Sequence, residues 1–205
     1  MILAKFAGAD PIWIGGDVAE LQLIQTKRFA DERGWFSETY NPARFAALGV
    51  DDVFVQDNHA KSGPVGVLRG LHFQRPPFAQ AKLIRCVRGR IWDVAVDLRR
   101  GSPAYGRWTG AELTADNGLQ LYVPVGFAHG YVTLEPDSEV EYKVTARYAP
   151  ECEGGVLWDD PDLAIAWPLP SGGPLLSDKD LRLPLVADFE SPFVFDGAAP
   201  APVEA

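Results

Sequence analysis

Histidine and cysteine are scarce in this chain, with three and two copies among 205 residues, and no long apolar run or long helical pattern occurs. Each absence narrows the possibilities. Cys86 falls in an apolar strand pattern and Cys152 in a loop, which fits neither a disulfide framework nor a metal-ligand spacing, so both are expected to be free thiols. Met1 to Asp10 holds one lysine and too short an apolar run for a secretory signal. Nothing later reaches the roughly 18 apolar residues of a membrane span, so a soluble cytoplasmic protein is expected. A net charge of −9 argues against nucleic-acid or membrane partners. A phosphorylated ligand would then be met by a few local basic residues, with Arg33, Arg69 and Lys82 as candidates. No Gly-rich dinucleotide turn sits between a strand and a helix, which weighs against hydride transfer, and no internal repeat is visible.

What the chain does contain is punctuation. Seventeen prolines and twenty glycines separate many short runs rich in Val, Ile, Trp, Tyr and Phe, the pattern of an all-β sandwich or barrel. Ile84 to Leu98 reads as two strands around Gly89. In the second strand, Trp92, Val94, Val96 and Leu98 take one face, and Ile91, Asp93, Ala95 and Asp97 the other. Asp93 points into a pocket if that small, mixed face lines it. The apolar outer face at Trp92, Val94 and Val96 is left to be covered by a second sheet or by a partner chain. A few short helices are expected: Asn41-Pro42 begins one that Gly49 ends, and Ser177 to Asp180 is a capping pattern with Asp in place of Glu. The composition suits a single domain over residues 1–196, core about 21–185, with an Ala/Pro-rich tail at 197–205 that is expected to fray.

Two stretches carry specific chemistry. Gly118 to His129 has a Gly, five residues, Pro124-Val-Gly126, two residues and then His, which resembles the second cupin box. Gly66 to Gln74, which contains His72, together with Lys82 and Gly89, resembles the first. The all-β reading thereby becomes a cupin-type jelly-roll barrel or sandwich. Two ligand positions have changed type, however: Gln74 stands where a second His would ligate a metal, and Lys82 where a Glu would. An ammonium repels a divalent metal and offers no lone pair. The pocket is therefore expected to be metal-free and suited to acid-base chemistry on an anionic substrate.

Six motifs in order then identify a closer likeness: Asp31-Glu-Arg33-Gly-Trp-Phe-Ser-Glu38, Phe54-Val-Gln56-Asp-Asn58-His59, Gly66-Val-Leu-Arg69-Gly-Leu-His72-Phe-Gln74, Gly126-Phe-Ala-His129-Gly130, Tyr142-Lys-Val-Thr and Leu157-Trp-Asp-Asp-Pro-Asp162. From about Leu21 to Leu185 the chain resembles the dTDP-4-dehydrorhamnose 3,5-epimerases. The resemblance implies a dTDP-4-keto-6-deoxy sugar as substrate, no cofactor, and inversion at C3 and C5 through an enolate. That chemistry needs a base on one face, an electrophile for the enolate oxygen and an acid on the opposite face. By resemblance, His72 is the base, Asp180 the carboxylate that orients it, Lys82 the cation at the enolate and Tyr142 the acid. Asp178, two residues from Asp180, competes for the same role.

The resemblance also implies that Arg33 and Arg69 bind the diphosphate, and that Gln56 and Asn58 read the thymine or ribose edge. Phe36, Glu38, Tyr148 and Glu153 surround the nucleotide, with Glu38 supplied by the neighbouring subunit of a homodimer. His129 either contacts the sugar or phosphates or satisfies polar groups inside the barrel, and His59 is structural or at the rim. The Ser62 to Val65 insertion, Trp35 and Arg147 depart from the family's commonest pattern near the nucleotide contacts. Strict alternation sets Arg69 and His72 on opposite faces, so both can line one pocket only if the strand is irregular near Gly70. Inversion at one carbon alone, and sugar-nucleotide binding without catalysis, are the competing functions.

Overall fold

The computed structural model describes residues 13–15 and 20–197. The amino-terminal stretch and the tail beyond residue 197, both interpreted above, lie outside the described residues. In chain order the strands are β1 (Trp13–Gly15), β2 (Gln22–Gln25), β3 (Arg28–Asp31), β4 (Gly34–Ser37), β5 (Gln56–Ser62), β6 (Leu68–Gln74), β7 (Lys82–Arg88), β8 (Arg90–Asp97), β9 (Trp108–Thr114), β10 (Leu119–Val123), β11 (Phe127–Thr133), β12 (Ser138–Val144) and β13 (Glu153–Gly155). A six-stranded sheet in the order β1-β9-β8-β11-β6-β13 packs against a five-stranded sheet in the order β2-β10-β7-β12-β5, and β3 and β4 form a separate hairpin. This is the all-β jelly-roll sandwich expected from the punctuation and the two boxes.

Alternation along the strands sorts side chains into layers. Ile91 and Ala95 of β8 meet Ile84, Leu121 and Val140 of the facing sheet in the sandwich interior. Each fully buried Ile, Leu or Val side chain among them contributes about 1.5–3 kcal/mol. Trp92, Val94 and Val96 point the other way, and neither a second sheet nor a partner covers them within this chain. The irregular C-terminal segment does so instead, through Val156, Leu163 and Phe193, with Trp158, Ile165 and Trp167 packed alongside. That segment is too rich in proline to show either strand or helix periodicity, so its role was invisible in the pattern. Asp160 staples it: Oδ1 accepts from the backbone N–H of Asp162 and Leu163 at 2.8 and 3.0 Å, and Oδ2 from that of Val186 at 2.6 Å.

The outer face of the five-stranded sheet is covered by helix α1 (Pro42–Ala46). Asn41 caps it by accepting from the backbone N–H of Ala43 and Arg44 at 3.1 and 3.4 Å. Phe45 and Leu48 then pack on Ile24, Leu83 and Tyr122. At Ser177 the expected helix is only a 3-10 turn, Asp180–Arg182. Both cysteines are free and buried, and burial pushes the Cys86 thiol up to about 11, which leaves it unreactive.

The irregularity needed near Gly70 is present. Between β6 and β11, His72 faces His129 while Arg69 faces Tyr131, so the register shifts by one residue across Gly70. Gly70 has φ +133, and a Cβ there would lie 2.5 Å from the Gly130 Cα and 2.9 Å from the His129 carbonyl oxygen. Both obstacles are backbone and cannot swing aside. Gly70→Ala is therefore expected to destabilise the protein by more than about 2 kcal/mol, measurable as a lower urea midpoint.

Candidate active site

A cavity of about 620 Å³ opens between the sheets at the bulge. The six-stranded sheet contributes Arg69 and His72 from β6 and His129 and Tyr131 from β11, while the five-stranded sheet contributes Lys82 from β7 and Tyr142 from β12. The segment from Leu175 to Asp180 closes a third side. Arg69 reaches this wall because the shift at Gly70 reverses its face, and its Nε donates to Ser62 Oγ at 3.3 Å.

His72 Nε2 lies 2.5 Å from Asp180 Oδ1. The second carboxylate oxygen, Oδ2, accepts from the Ser177 hydroxyl at 2.7 Å, while Ser177 Oγ accepts from the Asp180 backbone N–H at 3.2 Å. The capping pattern of the sequence is thus used to aim a carboxylate at a histidine. Burial alone would raise the Asp180 carboxyl, but the hydrogen bonds from His72 and Ser177 outweigh it and hold it below the usual range. Asp178 is exposed and takes no part in this pair.

Lys82 is 9% exposed, and its Nζ donates across the sandwich to the His72 carbonyl oxygen at 3.2 Å. Burial pulls the ammonium down to about 8; Asp93 and Glu153 favour its charge and Lys179 opposes it. Tyr142, half-buried on the inner face of β12, is raised by burial, with Arg69 pulling the other way. His129 is buried and its Nε2 lies 2.7 Å from Asp93 Oδ1. Burial dominates its titration and holds it below the ordinary histidine range.

The former metal-ligand positions have diverged in role. Gln74 is buried and spends its amide on backbone, donating to the carbonyls of Phe78 and Arg147 at 2.8 and 3.1 Å and accepting from Ala149 N–H at 2.8 Å. It props a loop and does not line the cavity. Among the described residues, no three or more His, Cys, Asp or Glu side chains are grouped to hold a metal ion.

The expected nucleotide contacts divide. Gln56 Nε2 donates to Asn58 Oδ1 at 2.8 Å, and Gln56 Oε1 accepts from Tyr148 N–H at 3.0 Å, so β5 and the Tyr148 loop form one ledge. Glu153 pairs with Lys179 at 2.7 Å at the mouth. Like Gln56, Asn58, Tyr148 and Glu153, the residues Arg33, Phe36 and Glu38 do not line the cavity of their own chain. Arg33 sits on the tip of the β3–β4 hairpin, paired with Asp31 at 2.5 Å, and Phe36 is 70% exposed, whereas Glu38 meets Arg44 at 3.2 Å. His59 is exposed and pairs with Glu139 at 3.0 Å, away from the cavity.

Residue-type reasoning passed over Tyr131, Ser177 and Lys179 as site residues. Tyr131 follows His129 by two positions on the same strand face, a signal that period-two counting could have used. Lys179 carried none, because its placement depends on how the terminal segment folds back.

Residues 16–188 match the family model described as dTDP-4-dehydrorhamnose 3,5-epimerase. The dTDP-4-dehydrorhamnose 3,5-epimerase of Sinorhizobium fredii is 48% identical over 87% of this chain and 91% of its own length. The crystal structure of the Bacillus anthracis dTDP-4-dehydrorhamnose 3,5-epimerase, with TDP and PPi bound, is 48% identical with a TM-score of 0.79, covering 85% of this chain and 99% of that one. The dTDP-6-deoxy-D-glucose-3,5-epimerase of Legionella pneumophila, in complex with dTDP-4-keto-L-rhamnose, is 40% identical with a TM-score of 0.83, covering 91% of this chain and all of that one. With the family model matched over most of the chain and relatives 48% identical over more than four-fifths of it, the chain belongs to the dTDP-4-dehydrorhamnose 3,5-epimerase family.

Proposed function

We propose that this protein is an isomerase that converts dTDP-4-dehydro-6-deoxy-D-glucose to dTDP-4-dehydro-L-rhamnose by inverting C3 and C5, with no metal or other cofactor. The observation that carries this reading is the placement of an imidazole–carboxylate pair on one sheet wall and a phenol on the other, with a buried ammonium reaching between them. A 4-keto sugar has acidic hydrogens at C3 and C5 because the carbanion delocalises into the carbonyl. His72 takes the proton with the ring nitrogen not engaged by Asp180, and Asp180 stabilises the imidazolium that forms. The charge that develops on O4 meets the Lys82 ammonium in place of a Lewis-acidic metal. Tyr142 delivers a proton to the opposite face of the carbon, and solvent restores both groups.

Relatives carrying TDP or a dTDP-keto-sugar support a dTDP-sugar ligand here. Arg69 then meets the diphosphate, His129 the sugar, and Gln56, Asn58, Tyr148 and Glu153 the nucleoside end. The active form is a cytoplasmic homodimer. A two-stranded hairpin is marginal alone, yet this one exposes Phe29, Trp35 and Phe36 at 49%, 56% and 70%. A second copy covers those rings and receives Glu38, with Arg33 and Phe36 beside it, at its own cavity.

The test is incubation with the 4-keto sugar nucleotide in D₂O, followed by mass spectrometry. Two deuterons gained faster than in a protein-free control support the proposal; one indicates a single-centre epimerase, and none a binding protein or another substrate. Tyr142→Phe is expected to keep exchange while inversion falls by about 10²-fold or more. Parallel loss of both would remove Tyr142 from the acid role.

A further inference from the structure

Asp93 is 0% exposed and lies behind the cavity wall, on the inward face of β8. One oxygen, Oδ1, lies 2.7 Å from His129 Nε2, and the other, Oδ2, has no hydrogen-bond partner among the described residues. A buried carboxylate with half of its acceptor capacity unused is costly for the fold, and packing alone would favour an apolar residue there. Its surroundings supply a reason to keep it. His129 is the register partner of His72, and Lys82 Nζ is bound to the carbonyl of that same His72. The base, the cation and the second histidine therefore share one polar cluster with Asp93 beneath it.

We infer that Asp93 is a positioning residue of this site: its buried carboxylate holds the His129 ring through Nε2 and supplies the counter-charge that keeps the Lys82 side chain an ammonium. The inference rests on the reaction proposed above. The charges acting on Lys82 are Asp93 and Glu153, which favour the ammonium, and Lys179, which opposes it, with Asp93 the strongest of the three. His129 in turn feels Asp93, Lys82 and His72. Glu153 is only half-buried and already paired with Lys179 at the mouth, whereas Asp93 lies where no solvent screens it. Because Asp93 is the acceptor, His129 Nε2 carries the hydrogen, which leaves the other ring nitrogen free to accept from a sugar hydroxyl.

Asp93→Asn preserves shape and an acceptor for His129 and removes only the charge. Lys82 then titrates below about 8, so the alkaline limb of the rate profile moves to lower pH. The loss in kcat/KM relative to wild type is expected to grow by about tenfold between pH 6 and pH 8, one pK unit being a factor of ten. Calorimetry with dTDP at pH 6 should give unchanged affinity, which shows a folded site. A loss equal at every pH, or none, overturns the inference.

A second readout does not depend on turnover. In protein carrying ¹³Cε-lysine, the Lys82 resonance should titrate near 8 in wild type and lower in the variant. A wild-type Lys82 that is neutral at pH 7 overturns the inference even if the variant does not fold. A wild-type protein that gives the expected lysine titration but no exchange overturns the proposed reaction and leaves the charge pairing standing.

Discussion

Replacing His72 by Ala is expected to remove deuterium exchange at both C3 and C5, with kcat/KM lower by about 10³- to 10⁴-fold, the upper range for loss of a positioned general base. One base for both carbons is the demanding part of this expectation. On the cavity's imidazole-bearing wall, His129 is the alternative, but it is buried, and burial holds it below the ordinary histidine range. His72 is the more accessible ring, with its side chain 30% exposed against 8% for His129. The fold should survive, because Asp180 keeps its hydrogen bond from Ser177. The remaining cost is about 1–3 kcal/mol, the scale for a buried acceptor that loses one partner. Since the Asp180 carboxyl is held below the usual carboxylate range, its share of stability is present above that range and is lost as pH falls through the lower folded value. Exchange that persists at one carbon in the alanine protein would mean that a second base serves it.

Lys82→Met is expected to separate activity from stability more widely than any other substitution here. Loss of the ammonium removes the buried cation that reaches between the walls, and kcat/KM should fall by about 10²- to 10³-fold, as for an oxyanion donor. The protein should nevertheless become more stable. Burial lowers Lys82 from 10.5 to about 8, so the folded state binds this proton more weakly than the unfolded chain does. That penalty is complete below about pH 8 and is relieved as pH rises towards 10.5, which makes it about 3 kcal/mol at neutral pH. Methionine has similar length and no charge to desolvate. A rise in Tm of several degrees at pH 7, shrinking towards pH 10, is the expected result in thermal melts. A lower Tm would mean that the bond to the His72 carbonyl outweighs the desolvation of the charge.

Such a penalty is tolerable only where the group is used, and the same reasoning applies to Asp93. In both cases the residue type was visible in the sequence, whereas its energetic situation was not. Lys82 at a strand end looks like a solvated lysine. Only the opposite sheet, which brings the His72 carbonyl over it, makes it a buried cation.

Much of the architecture was legible because it depends on local rules. Alternation in β8 sorted Trp92, Val94 and Val96 from Ile91, Asp93 and Ala95, and the sandwich has this sorting. Asn41, Pro42 and Gly49 bounded a helix by capping chemistry that acts within one turn. Strand arithmetic alone required an irregularity if Arg69 and His72 were to share a wall, and Gly70 supplies it. The spacing of the two boxes located both cavity histidines, because each spacing measures out a strand and its turn.

The pairings across the chain were a different matter. Asp180 and Asp178 were equivalent as residue types, and the 3-10 turn decided between them by burying one against His72 and leaving the other in solvent. Gln74 looked like a displaced ligand until Phe78, Arg147 and Ala149 took up its amide. The cover of the outer face was open between a sheet and a partner, and a proline-rich segment without periodicity took that place. Residue type and spacing specify what a side chain can do and which way its own strand turns it. Which partner meets it, and at what cost in desolvation, is set by contacts between residues far apart in the chain, 108 positions in the case of His72 and Asp180; these exist only once the two sheets and the terminal segment have closed on one another.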